Sequence, residues 1–405
     1  MTVPAQPAPL AGKRVVLGVT GSIAAYKAID LARRLEEGGA TVDVALTANA
    51  ARFAPALTFH SVIRGTVASD MFDAAAPELH VELGRRADLL LIAPATATTL
   101  AKLASGVGDS LVTLTALATT APVLVAPAMD SRMYANAATQ ANLETLRARG
   151  VSFVGPDEGR LASGERGLGR MSEPEVVVGA VRALIGRAGG DLRGRRVVVS
   201  AGGTREAIDP VRFLGNRSSG KMGFALAEAA RDRGAAVSLV STQAPPPALY
   251  GVSVEEVESA EEMREALARR LRDADVLVMA AAVADYRPAE TAARKRKKQE
   301  DAAGWDLALQ ENPDLIAGLD GSFVKVGFAA ETDDLIANAA AKLRKKGLDL
   351  IVANDVTDPE AGFGGDTNRI VLLDGRGEPE ALPLLSKYDA AQRVLDRVAA
   401  LLAER

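Results

Sequence analysis

Two stretches of the chain repeat one hydrophobic pattern. Gly12-Lys13-Arg14 leads into Val15-Val16-Leu17, and Gly194-Arg195-Arg196 leads into Val197-Val198-Val199. Each is a basic pair feeding an uninterrupted apolar run, the mark of a strand buried on both faces. After the first run, Ala28, Leu31, Ala32 and Leu35 recur at i, i+3, i+4 and i+7, which predicts a helix, and Gly38 ends it. Thr41 to Leu46 is the next predicted strand. After the second run, Met222, Leu226, Ala229 and Ala230 form the helical stripe, Gly234 caps it, and Ala236 to Ser241 follows as a strand. Later strands are predicted at Leu89 to Ala93, Val123 to Ala126, Val276 to Ala280, Lys325 to Phe328 and Leu350 to Ala353. Strand, glycine loop, helix, strand is the βαβ unit of a parallel sheet covered on both faces. The predicted fold class is α/β, with two doubly wound (Rossmann-like) domains, 1–190 and 191–405, joined near Gly186 to Arg195. Open sheets of this kind bind ligands beyond the carboxyl ends of their strands.

Composition narrows the chemistry. A chain of 405 residues accommodates two to three domains at roughly 150 residues each. Its 48 Lys plus Arg against 52 Asp plus Glu give a net charge of −4, so no global positive field favours nucleic acid. Cysteine is absent, which excludes disulfides, thiolate zinc sites, iron–sulfur ligation and a cysteine nucleophile. With only His60 and His80, a polyhistidine metal site is not expected. Met1 to Leu10 is Pro-rich and lacks the apolar core of a signal peptide. Ser110 to Met129 is uncharged and about long enough to span a bilayer. However, it carries Thr113, Thr115, Thr119 and Thr120 and is broken by Pro122 and Pro127, so helix, turn and buried strand are predicted instead. The expectation is a cytoplasmic protein with neither membrane nor nucleic acid as partner.

Several motifs are richer than packing requires. Gly18-Val19-Thr20-Gly21-Ser22-Ile23-Ala24 lacks the third glycine of a dinucleotide loop. It either holds a phosphate at a helix N-terminus or is a tight turn with Ser22 as N-cap. Gly215-Asn216-Arg217-Ser218-Ser219-Gly220-Lys221 fits G-x-x-x-x-G-K, but Met222 stands where a P-loop needs Ser or Thr for magnesium. It reads as an anion loop, not as an NTPase motif. His80 is a lone histidine before the strand at Leu89, and His60 sits beside Phe59 as a surface or packing residue. Arg294-Lys295-Arg296-Lys297-Lys298 is either a solvated run or a clamp over phosphates. Gly159 to Met171, Ala289 to Gln299 and Glu360 to Thr367 are predicted as long loops.

Further segments carry a resemblance. They are Gly21-Ser22-Ile23-Ala24-Ala25-Tyr26-Lys27, His80-Val81-Glu82-Leu83, Ala93-Pro94-Ala95-Thr96-Ala97 and Pro127-Ala128-Met129. The second half adds Thr204-Arg205-Glu206, Asp209-Pro210-Val211-Arg212, Asn216 with Ser218 to Gly223, Ala281 to Tyr286, Asn312-Pro313-Asp314, Gly327 to Thr332 and Asn354-Asp355-Val356. In this order they resemble the bifunctional phosphopantothenoylcysteine decarboxylase and phosphopantothenate–cysteine ligase of bacterial coenzyme A synthesis, over nearly the whole chain from about residue 12.

The resemblance implies an FMN-dependent first domain. Flavin would oxidise the substrate thiol to a thioaldehyde, whose C=S accepts the electrons left by CO₂, and would then return the hydride. It implies that His80 and Ser163 are catalytic, that Gly21, Ser22, Ile23, Thr47, Pro94, Ala95 and Thr96 bind the cofactor, and that Met129, Asp130 and Arg170 bind substrate. For the second domain it implies that CTP, with Mg2+, activates 4′-phosphopantothenate as an acyl-cytidylate and that the amine of L-cysteine displaces CMP. Asn216 and Lys295 are the implied catalytic residues. Asp285, Lys295, Pro313, Asp314, Leu315, Ile316, Phe328, Lys342 and Lys346 are the implied nucleotide site. Homo-oligomers are implied, built from decarboxylase trimers and ligase dimers and often reaching dodecamers. The metal ligands stay unknown.

Two departures fall in the first domain. Ser163 stands where the family has a cysteine that helps reprotonate the ene-thiolate, so Ser163 orients a water or the last step differs. Asp130 stands where the family has an asparagine; as a carboxylate it would repel the substrate carboxylate, and protonated it would donate. A rival expectation follows, a ligase-active protein whose flavin-binding domain is only an assembly or regulatory module.

Overall fold

The computed structural model describes residues 8–72, 77–295, 305–331, 334–355, 364–375 and 378–405. Arg296 to Lys298 of the basic run, Thr332, Val356 and residues 360–363 of the third loop therefore lie outside the described residues. The chain divides into two units, the first ending at Ile185 and the second beginning at Gly186.

The first unit is built on β1 (Arg14–Val19), β2 (Thr41–Leu46), β3 (Val67–Ala68), β4 (Leu89–Ala95), β5 (Val123–Pro127) and β6 (Ser152–Phe153). They form one sheet in the order β3-β2-β1-β4-β5-β6. Every pairing in it is parallel. The order reverses between β1 and β4, which opens a crevice at their carboxyl ends. The central strands are buried along nearly their whole length, as a sheet covered on both faces requires. The helix Ala25–Glu37 buries the expected stripe of Ala28, Leu31, Ala32 and Leu35. Ser110 to Met129 becomes the helix Leu111–Ala118, opened by a Ser110/Thr113 capping box, and then β5. Among the described residues no helix is long and apolar enough to cross a membrane.

Gly159 to Met171 departs from the expected loop. It belongs to an antiparallel hairpin of β7 (Asp157–Arg160) and β8 (Arg166–Arg170). Backbone pairing makes these strands without an apolar stripe, so hydrophobic periodicity does not register them.

The second unit repeats the plan with β9 (Arg196–Ala201), β10 (Arg205–Ala207), β11 (Phe213–Gly215), β12 (Ala236–Ser241), β13 (Ser253–Glu256), β14 (Val276–Met279), β15 (Tyr286–Pro288), β16 (Leu309–Glu311), β17 (Val324–Glu331), β18 (Leu350–Asp355), β19 (Thr367–Asn368), β20 (Ile370–Asp374) and β21 (Glu380–Ala381). The main sheet runs β13-β12-β9-β14-β17-β18-β20-β21. It is parallel up to β18 and antiparallel for the last two strands. Alternation along β9 shows the double winding. Val197, Val199 and Ala201 join the core under the helices Lys221–Asp232 and Lys387–Ala403. Val198 points to the opposite core, under Ala260–Arg270 and Leu335–Lys345.

Candidate functional site

In the first unit, three turns meet at the switch point. The loop after β1 is stitched to the loop after β4: the Thr20 hydroxyl donates to the Pro94 carbonyl at 2.7 Å, and the Thr96 N–H donates back to Thr20 Oγ1 at 3.1 Å. The turn after β2 joins them, with Thr47 N–H bonded to the Val19 carbonyl. Gly21 is required here, because a Cβ would stand 2.5 Å from Asn49 Cβ. Gly21, Ser22, Ile23, Thr47, Pro94, Ala95 and Thr96 thus share one end of the sheet. Ser22 is not the N-cap. That position is Ala24, and Ser22 Oγ instead accepts from the Ala24 N–H at 3.2 Å. The helix it leads into has no acidic residue in its first turn, so its dipole favours an anion there, although the N–H groups of Ala24, Ala25 and Lys27 already bond within the turn.

His80 is the second residue of the helix Leu79–Arg86, half-buried while Leu79 and Leu83 enter the core. The link Ala87–Asp88 turns the chain directly into β4, so the helix runs back along the sheet. Its first turn therefore lies toward the end that carries Pro94 to Thr96. The hairpin supplies Ser163 and Arg170, and it is bonded to the loop after β5 that carries Met129 and Asp130. Met129 N–H bonds to the Gly169 carbonyl at 3.0 Å, and Ser163 Oγ donates to Asp130 Oδ2 at 3.1 Å. Arg132 pairs with Glu165 at 3.0 Å. Asp130 Oδ1 also accepts the Arg132 N–H at 3.0 Å. Both Asp130 oxygens thus accept a hydrogen bond from within the site. Arg170 pairs with Glu173, which also takes the buried Lys27 ammonium at 3.1 Å.

In the second unit, the loops after β9 and β14 are laced together at the corresponding switch point. Ala282 N–H bonds to the Gly202 carbonyl at 2.8 Å, and Ala284 N–H to Thr204 Oγ1 at 2.9 Å. Beyond them lies a cavity of about 490 Å³ whose lining includes Asn216, Asp285, Pro313, Asp314, Leu315, Ile316, Phe328, Lys342 and Lys346. Asn216 Nδ2 donates to the carbonyls of Ala282 at 3.2 Å and Val283 at 3.1 Å. Lys295 does not line this cavity; it stands exposed after Thr291, whose hydroxyl bonds to the Ala207 carbonyl.

A smaller cavity of about 130 Å³ adjoins the first, sharing Ala281, Ala282, Phe328 and Ala330 with it. Ser218, Ser219, Lys221, Asn368 and Lys387 line it. Gly220, left-handed at φ 75°, opens the helix Lys221–Asp232 there. Lys221 Nζ pairs with Asp366 at 2.7 Å. Burial, with Lys221 nearby, pushes the Lys387 ammonium below its ordinary pKa. Asn368 Oδ1 is buried with no hydrogen-bond partner among the described residues. Lys387 and Asn368 have no signal in the sequence, whereas Arg217 of the anion loop lines the larger cavity. Asn312 was noted only as part of a motif. It binds Arg287 through Oδ1 at 2.9 Å and the Ala284 carbonyl through Nδ2 at 2.8 Å, which fixes the wall carrying Asp285.

Asp314 is the partner of Lys346 at 3.0 Å. Burial raises its pKa, but the Lys346 ammonium and the N–H groups of Ala317 and Ile316 outweigh burial and hold it below the ordinary carboxylate range. A lowered carboxyl pKa means the pair is intact above that range and breaks only as pH falls through the lowered value. Asp314→Asn is expected to weaken anion binding in this cavity about threefold to tenfold with little change in melting temperature. A pyrophosphate titration, with a thermal melt alongside, checks this; an unchanged affinity would show that the pair does not set Lys346.

Among the described residues no cluster of His, Asp and Glu is arranged to hold a metal ion. Residues 5–186 match the flavoprotein family, and residues 192–402 match the family described as DNA/pantothenate metabolism flavoprotein, C-terminal domain. The coenzyme A biosynthesis bifunctional protein CoaBC of Vibrio vulnificus strain CMCP6 is 44% identical over 399 residues, covering 97% of this chain and 99% of that one. The protein of the same name from Escherichia coli K12 is 44% identical over 397 residues, covering 96% and 97%. Among solved structures, the C-terminal domain of a CoaBC is 36% identical with a TM-score of 0.45, covering 53% of this chain and all of that one. The FMN binding protein AtHal3 is 36% identical with a TM-score of 0.39, covering 42% and 95%.

Proposed function

The chain belongs to the family of bifunctional coenzyme A biosynthesis proteins CoaBC, and from that premise we propose how its two units divide the work. The second unit is the ligase. It uses CTP to activate the carboxylate of 4′-phosphopantothenate as an acyl-cytidylate, releasing pyrophosphate, and the amine of L-cysteine then displaces CMP. The observation that carries this reading is the cavity at the β9/β14 switch point, which gathers Asn216, Asp285, Phe328, Lys342 and Lys346. Lys342 and Lys346 offset phosphate charge. Mg2+ enters with the triphosphate. The adjoining cavity, with Lys387, Lys221, two serines and a helix N-terminus, suits a phosphoryl group. Pyrophosphate and CMP formed in equal amounts with amide, in the presence of cysteine and CTP, test the assignment; AMP from ATP in preference would overturn the choice of nucleotide.

Lys295 acts from outside the cavity. An exposed side chain adds little to the core, so Lys295→Gln is expected to leave the melting temperature unchanged. It should slow CTP-dependent pyrophosphate release about tenfold or more, since one charge on a transferring phosphoryl group is lost. Unchanged release would remove Lys295 from the mechanism.

The first unit is the decarboxylase. Its residues fit FMN. The cradle of Gly21 to Ile23, Thr47 and Pro94 to Thr96 presents the hydroxyls of Ser22, Thr47 and Thr96, with no acidic residue in the first helical turn, and Ile23 and Tyr26 are exposed apolar surface beside it. When bound, FMN supplies the reversible oxidation of the substrate thiol that makes loss of CO₂ possible. His80 moves the proton, and the hairpin with Met129, Asp130, Ser163 and Arg170 covers the substrate, Ser163 and Asp130 acting as a bonded pair. Exposed Ile23, Tyr26, Phe53, Leu57 and Phe72 supply surface for self-association, as trimers of this unit; dimers of the ligase unit would complete a larger homo-oligomer. Flavin absorbance together with CO₂ release from phosphopantothenoylcysteine tests this. Bound flavin without CO₂ would leave the unit as an assembly module.

A further inference from the structure

Asp43 is a carboxylate in the middle of a strand that is otherwise apolar. It is fully buried. Its two oxygens take hydrogen bonds from Arg14 and Thr66 and an ion pair to Arg86. Arg14 Nη1 reaches Oδ2 at 2.9 Å, while Arg86 Nη2 at 3.0 Å and the Thr66 N–H at 2.8 Å reach Oδ1. The loop that delivers Thr66 passes so close that a Cβ on Gly65 would lie 2.0 Å from the Val42 carbonyl oxygen and 2.8 Å from Asp43 Oδ1. Three separate segments have been brought to one buried charge. A fold needs no charge here, since burying one is costly unless every partner is in place.

The third segment is the His80 helix. Its start is weakly held. Glu78 precedes it in the left-handed conformation at φ 60°, with no side-chain cap. Leu79 and Leu83 bury its apolar face, and the Thr119 hydroxyl bonds to the Gly84 carbonyl at 2.9 Å. Apolar contacts alone let a two-turn helix roll or slide. Arg86, in the last turn, prevents this, tied to Asp43 and also to Glu82 at 2.5 Å and Thr66 Oγ1 at 3.2 Å.

We infer that Asp43 is a positioning residue for the decarboxylation, acting through Arg86 to fix the rotation and axial position of the helix that presents His80. The inference rests on the reading that His80 is the catalytic residue of the first unit. Asp43 touches no reacting atom; it sets where the imidazole stands, and a displacement near 1 Å is enough to cost about 10²-fold in rate.

The test uses the full-length flavin-loaded protein and the variants Asp43→Asn, Arg86→Gln, their double variant, and His80→Ala. Asp43→Asn and Arg86→Gln should each lower kcat for CO₂ release about 10- to 100-fold, with KM within about threefold, flavin absorbance retained and ligase turnover normal. The double variant should be no worse than the poorer single, because both act through one contact. The chain has only two histidines, so NMR of histidine-labelled protein reads them individually. The His80 signal should shift or broaden in both variants while His60 stays in place. Unchanged kcat, losses that multiply in the double variant, or flavin and KM failing together with kcat would overturn the inference. If Asp43→Asn does not fold, Arg86→Gln decides alone, being partly exposed at the helix end. Full turnover in His80→Ala would sink the reading beneath; its loss, with both other variants fully active, would sink only the role of Asp43.

Discussion

Asn216→Asp is expected to lower amide formation by about 10²–10³ while CTP-dependent pyrophosphate release continues. Both Nδ2 protons of Asn216 are donated, to the carbonyls of Ala282 and Val283, which leaves Oδ1 as the acceptor the residue has to offer. Ala282 lines both cavities, so the amide stands at the wall between the nucleotide and the phosphoryl end, where an acyl-cytidylate would be attacked. An acceptor at that point suits the N–H of an incoming amine. Aspartate has the same size but no donor. It would set an oxygen against two carbonyl oxygens and add charge beside the acyl phosphate. The wall shifts and the amine loses its guide. On the proposed reading activation rests on other groups, Lys295, Lys342 and Lys346 among them, so cytidylate should accumulate. A quenched time course with labelled 4′-phosphopantothenate reads both species. Amide formed at the wild-type rate, or no cytidylate because activation has failed, would show that Asn216 has a different role.

The two sheets were legible because their central strands are apolar on both faces and their helices carry a 3.6-residue stripe. The runs Val15 to Leu17 and Val197 to Val199 announce themselves in any reading. What periodicity does not encode was not legible. The β7–β8 hairpin is held by backbone pairing between charged and glycine residues, so it read as a loop. The antiparallel strands β20 and β21 form the sheet edge, and no signal in a parallel βαβ pattern anticipates a reversal. Site residues near glycine loops were found through motifs, whereas Asn368 and Lys387 lie far along the chain from the Ser218–Lys221 loop they join. Only the fold brings them there. Asp43 was hidden for the opposite reason. In Thr41-Val42-Asp43-Val44 it looks like one interruption of a strand, and its meaning lies in Arg14, Thr66 and Arg86, each distant in sequence.

His80→Ala is expected to abolish CO₂ release, by 10²- to 10⁴-fold for a lost proton-transfer group, while ligase turnover stays near normal. Decarboxylation replaces a carboxylate by a hydrogen, so the reaction takes up one proton, and the substrate thiol gives one up on the way. Imidazole is the side chain that does both near neutral pH, and among the two histidines only His80 stands on an element beside the switch point of the first sheet. His60 ends a short helix, Ala56–His60, beyond β2. Truncation at position 80 should cost little stability, because the helix is anchored by Leu79, Leu83, Gly84 and Arg86 and not by the imidazole. Flavin should be retained, since the cradle is made of backbone and hydroxyl groups from other turns. The ligase cavity is formed entirely from residues of the second unit. Paired assays on one preparation give the answer: CO₂ release from phosphopantothenoylcysteine, flavin absorbance, and amide formation with CTP. Equal loss of both activities in a soluble, flavin-bound protein would overturn the division of labour between the units. Retained CO₂ release would move the proton to another group, for which the bonded Asp130–Ser163 pair is the next to replace.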